Sequence, residues 1–255
     1  MPLSFHQFPY MSDNYGVLIR SDETGEVAMI DAGEAGAAMA ALGRTGWVLS
    51  HIFVTHHHGD HVAGLSEVKA ATGAEVIGPG VGDRPIEGVD RKVVDGERFA
   101  WGGREVTAIH TPGHTLDMIN YHFADDGVVF TGDTLFTLGC GRVFEGDPAM
   151  MWASLSKLMA LPPETVVYSS HEYTLANAKF ALSVDPGNAA LKARATEVEA
   201  IRARGEATSP TVLSAELETN PFLRAADPGI RAGLGLEAAS DAEVFAAVRK
   251  AKDNF

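Results

Sequence analysis

The sequence predicts an α/β fold, in which helices cover β-sheets, followed by a smaller helical domain. Up to about residue 172, short runs of β-branched and apolar residues alternate with glycine-rich turns and a few helical stretches. Beyond that residue, helical patterns and polar connections dominate. A mixture of strands and helices is typical of sheets with helices packed on their faces. At 255 residues, the chain is long enough for one large domain with a smaller appendage.

The first elements in chain order are a predicted hairpin, a helix and a further strand. The runs 17–19 and 27–31 are rich in β-branched and apolar residues and flank a polar turn, which predicts two paired strands. Apolar residues recur at helical spacing over 62–72 and Gly73 follows them, so we expect a helix that stops there. The run 75–77 resumes the strand pattern.

Helices dominate the predicted C-terminal part. Residues 188–204 place apolar side chains on one face of a helix. Residues 205–221 are polar and contain proline, and we expect them to form a connection. The segment Ser240-Asp241-Ala242-Glu243 fits a capping box that begins a last helix. We therefore predict two domains, 1–172 and 173–255.

The composition limits the class of protein. Hydrophobic residues make up 45% of the chain and charged residues 21%, which is ordinary for a globular protein. A formal net charge of −14 argues against a nucleic-acid partner, because phosphate binding depends on clustered lysine and arginine. The first residues resemble no signal peptide, and no stretch reaches the roughly 18 apolar residues of a membrane helix. The single cysteine, Cys140, allows no internal disulfide and fits a reducing cytosol. We expect a cytoplasmic protein without a membrane partner, and a monomer.

Four groups of potential metal ligands each follow a strand-like run. The first group is the segment Thr55-His56-His57-His58-Gly59-Asp60-His61, which follows Ile52-Phe53-Val54. The other three groups are single residues that follow the runs 106–109, 128–130 and 166–168, namely His114, Asp133 and His171. Loops at the rim of a rigid sheet are where chemistry tends to occur. The pattern therefore predicts one site built from four loops.

Seven nitrogen and oxygen donors predict two metal ions, since one tetrahedral zinc needs only four ligands. A shared carboxylate, for which Asp133 is the best candidate, could bridge two ions roughly 3.5–4 Å apart. A hydroxide held between them would be a nucleophile at neutral pH, because metal binding lowers the pKa of water toward about 7. No protein nucleophile is then needed. Zinc, iron and manganese all suit these donors, and we expect zinc.

Several other residues of suitable chemistry are assigned structural roles. His57 lies between two ligands and is expected to point away from them. Four further histidines lack the strand-end context: His6, His51, His110 and His122. Cys140 lies between glycines without an evident base, so we expect a small buried residue. A serine mechanism is not supported, because the Gly-x-Ser-x-Gly elbow is absent.

The ligand pattern resembles the signature of the metallo-β-lactamase superfamily. Within it, the chain is similar to the hydroxyacylglutathione hydrolase family, also known as glyoxalase II. The narrower resemblance is carried by Gly139-Cys140-Gly141-Arg142, Phe144-Glu145-Gly146, His171-Glu172-Tyr173-Thr174, Asn220-Pro221-Phe222-Leu223-Arg224 and the terminal Arg249 to Asp253. It extends over nearly the whole chain and implies an αββα sandwich followed by a small all-helical domain.

The resemblance also implies roles for the ligands and a reaction. The first ion would be held by His56, His58 and His114, the second by Asp60, His61 and His171, and Asp133 would bridge the two. Asp60 would also act as the catalytic residue that orients the bridging hydroxide. The implied reaction is hydrolysis of S-D-lactoylglutathione, and of related 2-hydroxyacylglutathiones, to glutathione and D-lactate in methylglyoxal detoxification.

Five residues match substrate-binding positions of the family: Arg142, Phe144, Tyr173, Arg249 and Lys252. Glutathione is a net anion, so basic side chains would form a local receptor on an acidic protein. Arg249 and Lys252 are three residues apart on one helix and can reach the same ligand. Spacing alone equally fits a role in complementing the C-terminus of that helix. Phe144 replaces a frequent tyrosine, and Gly59 replaces a bulkier residue, which predicts a more flexible loop.

Three alternatives differ from this hypothesis in function. A mononuclear iron dioxygenase acting on glutathione persulfide would need fewer ligands, and oxygen uptake with that substrate would favour it. A β-lactam or lactone hydrolase would not need the basic helical tail. A non-catalytic metal-binding module would bind metal without turnover.

Overall fold

The computed structural model describes residues 2–255 and divides the chain into two units. Unit 1 runs to His110 and also includes Thr115–Gly132. Unit 2 comprises Thr111–His114 and Asp133–Phe255. Among residues 2–255, no helix combines the length and the apolar character that crossing a membrane requires.

The first sheet of unit 1 has six strands, which lie side by side in chain order. They are β1 (Leu3–Tyr10), β2 (Asn14–Ser21), β3 (Val27–Ile30), β4 (His51–Phe53), β5 (Glu75–Pro79) and β6 (Arg91–Val93). The first three strands are antiparallel, and β3 to β6 are parallel. The predicted hairpin is confirmed, because β2 pairs with β3 and Val17 lies opposite Ile30.

Four further strands of unit 1 form an antiparallel meander. They are β7 (Arg98–Trp101), β8 (Arg104–His110), β9 (Ile119–Phe123) and β10 (Val128–Phe130), with a 3₁₀ turn at Ala124–Asp126. Aromatic rings join this meander to the first sheet, since the ring of Phe53 lies 5.2 Å from that of Tyr121 and 5.5 Å from that of Phe99. The Tyr121 hydroxyl donates to the carbonyl oxygens of Val54 (2.7 Å) and Ile77 (3.2 Å).

Three helices belong to unit 1: α1 (Ala35–Thr45), α2 (Gly59–Val62) and α3 (Leu65–Thr72). Buried residues of α1 and α3, such as Ala38 and Val68, pack with Ile52 on the face of the first sheet opposite Phe53. The predicted helix over 62–72 is interrupted at Gly64. A Cβ there would lie 2.5 Å from the backbone nitrogen of Ala35, so the chain passes too close to α1 for a side chain.

Unit 2 contains four short strands and six helices within the described residues. The strands form two antiparallel pairs, β11 (Leu135–Phe136) with β12 (Gly139–Cys140) and β13 (Val166–Tyr168) with β14 (Thr211–Val212). The helices are α4 (Pro148–Met159), α5 (Thr174–Val184), α6 (Ala189–Ala203), α7 (Leu213–Thr219), α8 (Pro228–Leu234) and α9 (Asp241–Asp253). The aromatic rings of Phe180, Phe222 and Phe245 form a buried core among these helices.

The predicted elements of the C-terminal part are confirmed in two places and wrong in one. Helix α6 begins at the predicted position, where the Asn188 side chain accepts from the Leu191 backbone N–H. Helix α9 begins with the predicted capping box of Ser240 and Glu243. The segment 205–221 is not merely a connection, because β14 and α7 form within it. The regular elements after residue 172 are therefore helices, apart from β14, whose β-branched residues pair with β13.

The four strand-like runs expected before the ligand groups all form strands, namely β4, β8, β10 and β13. Each ligand group therefore follows a buried or half-buried strand. This arrangement fixes the first residue of each loop, because the strand that precedes it is held by backbone hydrogen bonds.

Tyr121→Phe is expected to lower the free energy of unfolding by about 1–3 kcal/mol, because two buried carbonyl groups lose their shared donor. Burial, followed by the nearby Asp31 charge, raises the pKa of Tyr121 well above its usual value. The neutral hydroxyl therefore stabilises the fold fully below about pH 10, and this contribution declines as the pH rises further. Denaturant unfolding near neutral pH and at about pH 10.5 tests the prediction. A wild-type protein and variant of equal stability near neutral pH would contradict it.

Candidate metal centre

The loop after β4 carries four of the predicted ligands. His56 and His61 are fully buried, whereas His58 and Asp60 are partly exposed. His56 Nε2 lies 3.1 Å from His58 Nδ1, and His61 Nε2 lies 3.3 Å from Asp60 Oδ2. Unit 1 thus presents two pairs of donor atoms, each pair converging on one point.

Unit 2 brings together the three remaining predicted ligands. His114, Asp133 and His171 are all buried. The Oδ2 atom of Asp133 lies 3.4 Å from His114 Nε2 and 3.2 Å from His171 Nε2. A single carboxylate oxygen therefore lies close to both imidazoles.

These distances match those between ligands of one metal ion. At a zinc–nitrogen distance of about 2.0–2.1 Å, two ligands of a tetrahedral ion lie about 3.3 Å apart. The four distances just given range from 3.1 to 3.4 Å. Groups of histidine and aspartate in this chain therefore fit a divalent metal ion by donor chemistry and by spacing.

A hydrogen bond to the backbone fixes the tautomer of His114. Its Nδ1 atom lies 2.8 Å from the backbone oxygen of Arg142. A carbonyl oxygen can only accept, so Nδ1 carries the proton and Nε2 presents its lone pair. The nitrogen that faces Asp133 is thus the one able to bind a metal ion.

Asp31 plays the corresponding role for the loop after β4. Its carboxylate accepts from the Thr55 backbone N–H (2.7 Å) and the Thr55 hydroxyl (2.8 Å), and it lies 2.8 Å from His61 Nδ1. Since the Thr55 hydroxyl donates to Asp31, it must accept from His56 Nδ1 at 3.0 Å. Both His56 and His61 then direct Nε2 toward the other ligands.

Sequence reasoning missed Asp31, although it has the same signal from which the ligands were predicted. It follows directly after β3, as the other groups follow their strands. Its φ of 56° lies in the left-handed region, which aspartate tolerates better than most residues and which is often occupied at functional sites.

Asp60 is held by two residues of the first strands. Asn14 Nδ2 donates to Asp60 Oδ2 at 3.0 Å, and the Tyr10 hydroxyl donates to the Asp60 backbone oxygen at 2.9 Å. Gly33 packs against the same carbonyl group, where a Cβ would lie 1.8 Å from the oxygen. The position of the partly exposed carboxylate is therefore set by its neighbours.

His57 has a different environment from the ligands beside it. Its Nδ1 atom lies 2.9 Å from Oδ1 of the buried Asp117, and its Nε2 atom lies 3.4 Å from Arg84. Among the other histidines, His110 Nε2 donates to the Leu116 backbone oxygen at 2.8 Å.

The three basic residues of the predicted receptor lie in unit 2 and differ in exposure. Arg142 is exposed, whereas Arg249 is only 5% exposed. The Arg249 guanidinium donates to the Cys140 backbone oxygen (3.1 Å) and to Asp253 (2.8 Å), and it lies over the Phe222 ring. These hydrogen bonds of the Arg249 guanidinium are therefore all made to other residues of the protein.

Lys252 lies between aromatic rings and other cations. Its Nζ donates to the Ala176 backbone oxygen at 3.0 Å and lies 5.2 Å from the centre of the Phe180 ring. Partial burial, followed by the charges of Arg249 and Arg142, lowers the pKa of Lys252. Lys252 therefore lies in the positive field of both arginines, although the chain as a whole is acidic.

Two aromatic residues of the predicted receptor lie beside predicted ligands of unit 2. The Tyr173 ring stacks on His171 at 4.9 Å and is 39% exposed. The Phe144 ring lies 5.2 Å from that of His114 and is 61% exposed. An exposed aromatic ring beside a metal ligand offers a surface for a bound molecule.

Comparison with known proteins identifies the family. Residues 13–171 match the model of the metallo-beta-lactamase superfamily, and residues 172–255 match that of the hydroxyacylglutathione hydrolase C-terminus. The chain is 54% identical over 254 residues to the hydroxyacylglutathione hydrolase of Rhizobium etli, covering 100% of this chain and 99% of that protein. It is 53% identical over 253 residues to the enzyme of the same name from Rhizobium meliloti, covering 99% of each.

A solved structure shows the same fold. The crystal structure of ETHE1 from Myxococcus xanthus matches with a TM-score of 0.69 and 26% identity, covering 97% of this chain and 90% of that one. The fold is thus that of the metallo-β-lactamases, extended by a helical C-terminal region. From the two family models and the identity to the Rhizobium proteins, the chain belongs to the hydroxyacylglutathione hydrolase family, a group of metallohydrolases in the metallo-β-lactamase superfamily.

Proposed function

We propose that this protein hydrolyses thioesters of glutathione, with S-D-lactoylglutathione as the substrate and glutathione and D-lactate as products. The observation that carries the proposal is the match of residues 172–255 to the hydroxyacylglutathione hydrolase C-terminus. The three interacting cations in unit 2 support it, because a net anion needs a local receptor on a chain of charge −14. Such a reaction belongs to methylglyoxal detoxification.

We further propose that the seven ligands hold two divalent ions, zinc in the first place and iron or manganese as alternatives. One ion would be held by His56, His58 and His114, the other by Asp60, His61 and His171, and Asp133 would be shared. When bound, such ions lower the pKa of water and polarise a carbonyl group. The proposal is supported by the four ligand distances of 3.1–3.4 Å and by the tautomers that Asp31, Thr55 and Arg142 impose.

The chain's own residues supply orientation and charge for the reaction. Asp60, fixed by Asn14, would orient the attacking water as the catalytic residue. Water adds to the thioester carbonyl carbon, the carbon–sulfur bond breaks, and the thiolate leaves and is protonated. No thiol nucleophile is involved, because burial raises the pKa of Cys140 to about 11 and the group is protonated at neutral pH.

The proposed receptor combines direct contacts with a positive field. Arg142, Phe144, Tyr173 and Lys252 are partly or fully exposed and would contact glutathione. Arg249 already donates hydrogen bonds to Cys140 and Asp253. Its contribution to glutathione binding would come from its positive charge and from any of its N–H groups that the ligand reaches.

The domain limits and the cellular location are part of the proposal. We assign residues 1–172 to a metal-binding catalytic domain and 173–255 to a helical substrate-binding domain. A reduced, buried cysteine is consistent with a cytoplasmic enzyme.

Glutathione release from S-D-lactoylglutathione by zinc-loaded protein tests the function. We expect turnover that a chelator abolishes and that metal restores. Hydrolysis at the rate of the blank by fully loaded protein would overturn the proposal. Oxygen uptake with glutathione persulfide, measured in parallel, would then favour a dioxygenase.

Lys252→Ala is expected to raise KM about tenfold or more with little change in kcat, since a charge-assisted hydrogen bond contributes about 1.5–3 kcal/mol. The matched control is Lys250→Ala, which removes the same charge from an exposed position of α9. The pKa of Lys252 is lowered, so the lysine loses its proton at a lower pH than an ordinary lysine. The KM of wild type should therefore rise as the pH increases through the pKa of Lys252. This rise should be absent in Lys252→Ala. Equal KM values for the two variants would remove Lys252 from the receptor.

Asp31→Asn is expected to weaken zinc affinity about 10- to 100-fold, because the variant loses the charge that orients His61. Competition with a chromophoric chelator measures the affinity. Asp117→Asn is the matched control, since Asp117 is also buried and bound to a histidine, His57, that is not a proposed ligand. Similar losses in both variants would show that Asp31 has no specific role toward the metal.

Cys140 is expected to resist Ellman's reagent in the native protein at about pH 8, since its pKa is raised to about 11 by burial. One thiol per chain should react after denaturation. Rapid reaction of the native protein would contradict the buried position.

A further inference from the structure

We propose that Arg194, Glu216 and Asn220 are positioning residues that hold the β11–β12 hairpin, and with it the Asp133 carboxylate and Arg142. We call these three side chains the hairpin clamp. The inference rests on the proposed function, because it concerns the geometry of a proposed metal ligand and a proposed receptor residue. All the residues involved belong to unit 2.

The hairpin connects the functional residues directly. Asp133 comes two residues before β11, and Arg142 comes two residues after β12. A Cβ at Gly141 would lie 2.0 Å from the Asp133 backbone oxygen, so the two ends of the hairpin are in close contact. The Arg142 backbone oxygen accepts from His114 Nδ1 at 2.8 Å. A shift of the hairpin would therefore displace Asp133, Arg142 and the partner of His114 together.

The hairpin has little internal support. Its strands share only two register pairs, Leu135 with Cys140 and Phe136 with Gly139. At its turn, Leu138 has a φ of 57°, in the left-handed region that a branched side chain rarely adopts. Such a conformation persists only where the surrounding structure enforces it.

Glu216 provides that enforcement from α7. The residue has no exposed surface. One carboxylate oxygen, Oε2, accepts from the Leu138 backbone N–H at 2.8 Å and from Asn220 Nδ2 at 3.0 Å. The other oxygen accepts from the Thr211 hydroxyl at 2.9 Å and from the Arg194 guanidinium. The strained turn is thus bound to a charged group that is itself fully paired.

Asn220 ties both strands of the hairpin to the same carboxylate. Its Nδ2 atom donates to the backbone oxygens of Gly139 on β12 (3.0 Å) and Phe136 on β11 (3.3 Å). Its Oδ1 atom accepts from the Phe222 backbone N–H at 3.1 Å, which fixes the orientation of the amide. The side chain is fully buried.

The chemistry of the clamp favours a geometric role over a purely stabilising one. Burying a carboxylate and a guanidinium carries a large desolvation cost, and apolar residues of similar volume often stabilise a core at least as well. Directional hydrogen bonds, in contrast, fix backbone atoms in position. Here they fix three backbone groups of one short hairpin, those of Phe136, Leu138 and Gly139.

The test compares Asn220→Ala with Asn188→Ala. Asn188 is the control, because its amide also bonds both backbone and side-chain groups. Its three partners, Leu191 N–H, Asp185 and the Glu218 backbone oxygen, all lie outside the hairpin. Cobalt(II) titration of the metal-free protein, followed by the d–d absorption bands, measures metal affinity and ligand geometry. Thermal melting measures stability, and kcat and KM are measured with S-D-lactoylglutathione.

We expect Asn220→Ala to weaken cobalt binding about tenfold or more and to alter the d–d bands, as loss of outer-shell support does at metal sites. Asn188→Ala should keep both the affinity and the spectrum of wild type at a similar loss of melting temperature. If Asn220→Ala fails to fold, Glu216→Gln, which keeps the shape of the side chain, replaces it with the same expectation.

An unchanged cobalt affinity and spectrum in the clamp variants would overturn the inference, as would equal changes in Asn188→Ala. The cobalt measurement requires no substrate. A wild-type protein that binds cobalt but hydrolyses no thioester would therefore overturn the proposed function, while the comparison of spectra still decides the role of the clamp.

Discussion

Parallel pairing of β3 with β4 is the constraint on which the loop after β4, with its four predicted metal ligands, depends. It places Ile30 opposite Phe53, and the next residue, Asp31, donates its backbone N–H to the Phe53 oxygen at 3.0 Å. The Asp31 carboxylate then reaches Thr55 and His61, and Thr55 in turn orients His56. The backbone pairing in the sheet thus positions Asp31, and three hydrogen bonds that start from Asp31 orient the imidazole rings of His56 and His61.

The electrostatics of unit 2 centre on three positively charged side chains. Arg142, Arg249 and Lys252 lie close enough for the two arginines to lower the pKa of the lysine. The partial burial of Lys252 and its repulsion by the two arginines both disfavour the charged form of the lysine. An anion bound among them would offset this repulsion, so binding should stabilise the fold as well as hold the ligand.

The sequence predicted the strand ends well because that pattern is local. A short β-branched run followed by histidine or aspartate predicted β4, β8, β10 and β13 correctly. Asp31 has the same pattern, but an isolated aspartate after a strand is common, and its role depends on contacts across the sheet. The break in the helix at Gly64 could not be predicted, because it results from the close approach of α1. Helix α7 could not be predicted either, because it buries Glu216 against Arg194, which lies on another helix.

Gly33 and Gly59 differ in whether their positions can accommodate a side chain. Any side chain at Gly33 would collide with the Asp60 carbonyl group, whereas a Cβ at Gly59 would meet nothing within 4 Å. Gly59 is exposed and lies between His58 and Asp60 at the start of α2. A mutation there can add surface next to the ligands while their backbone stays in place. Position 59 can thus vary in size among related proteins without disturbing the backbone of its two neighbours, whereas position 33 cannot vary at all without moving the Asp60 carbonyl group.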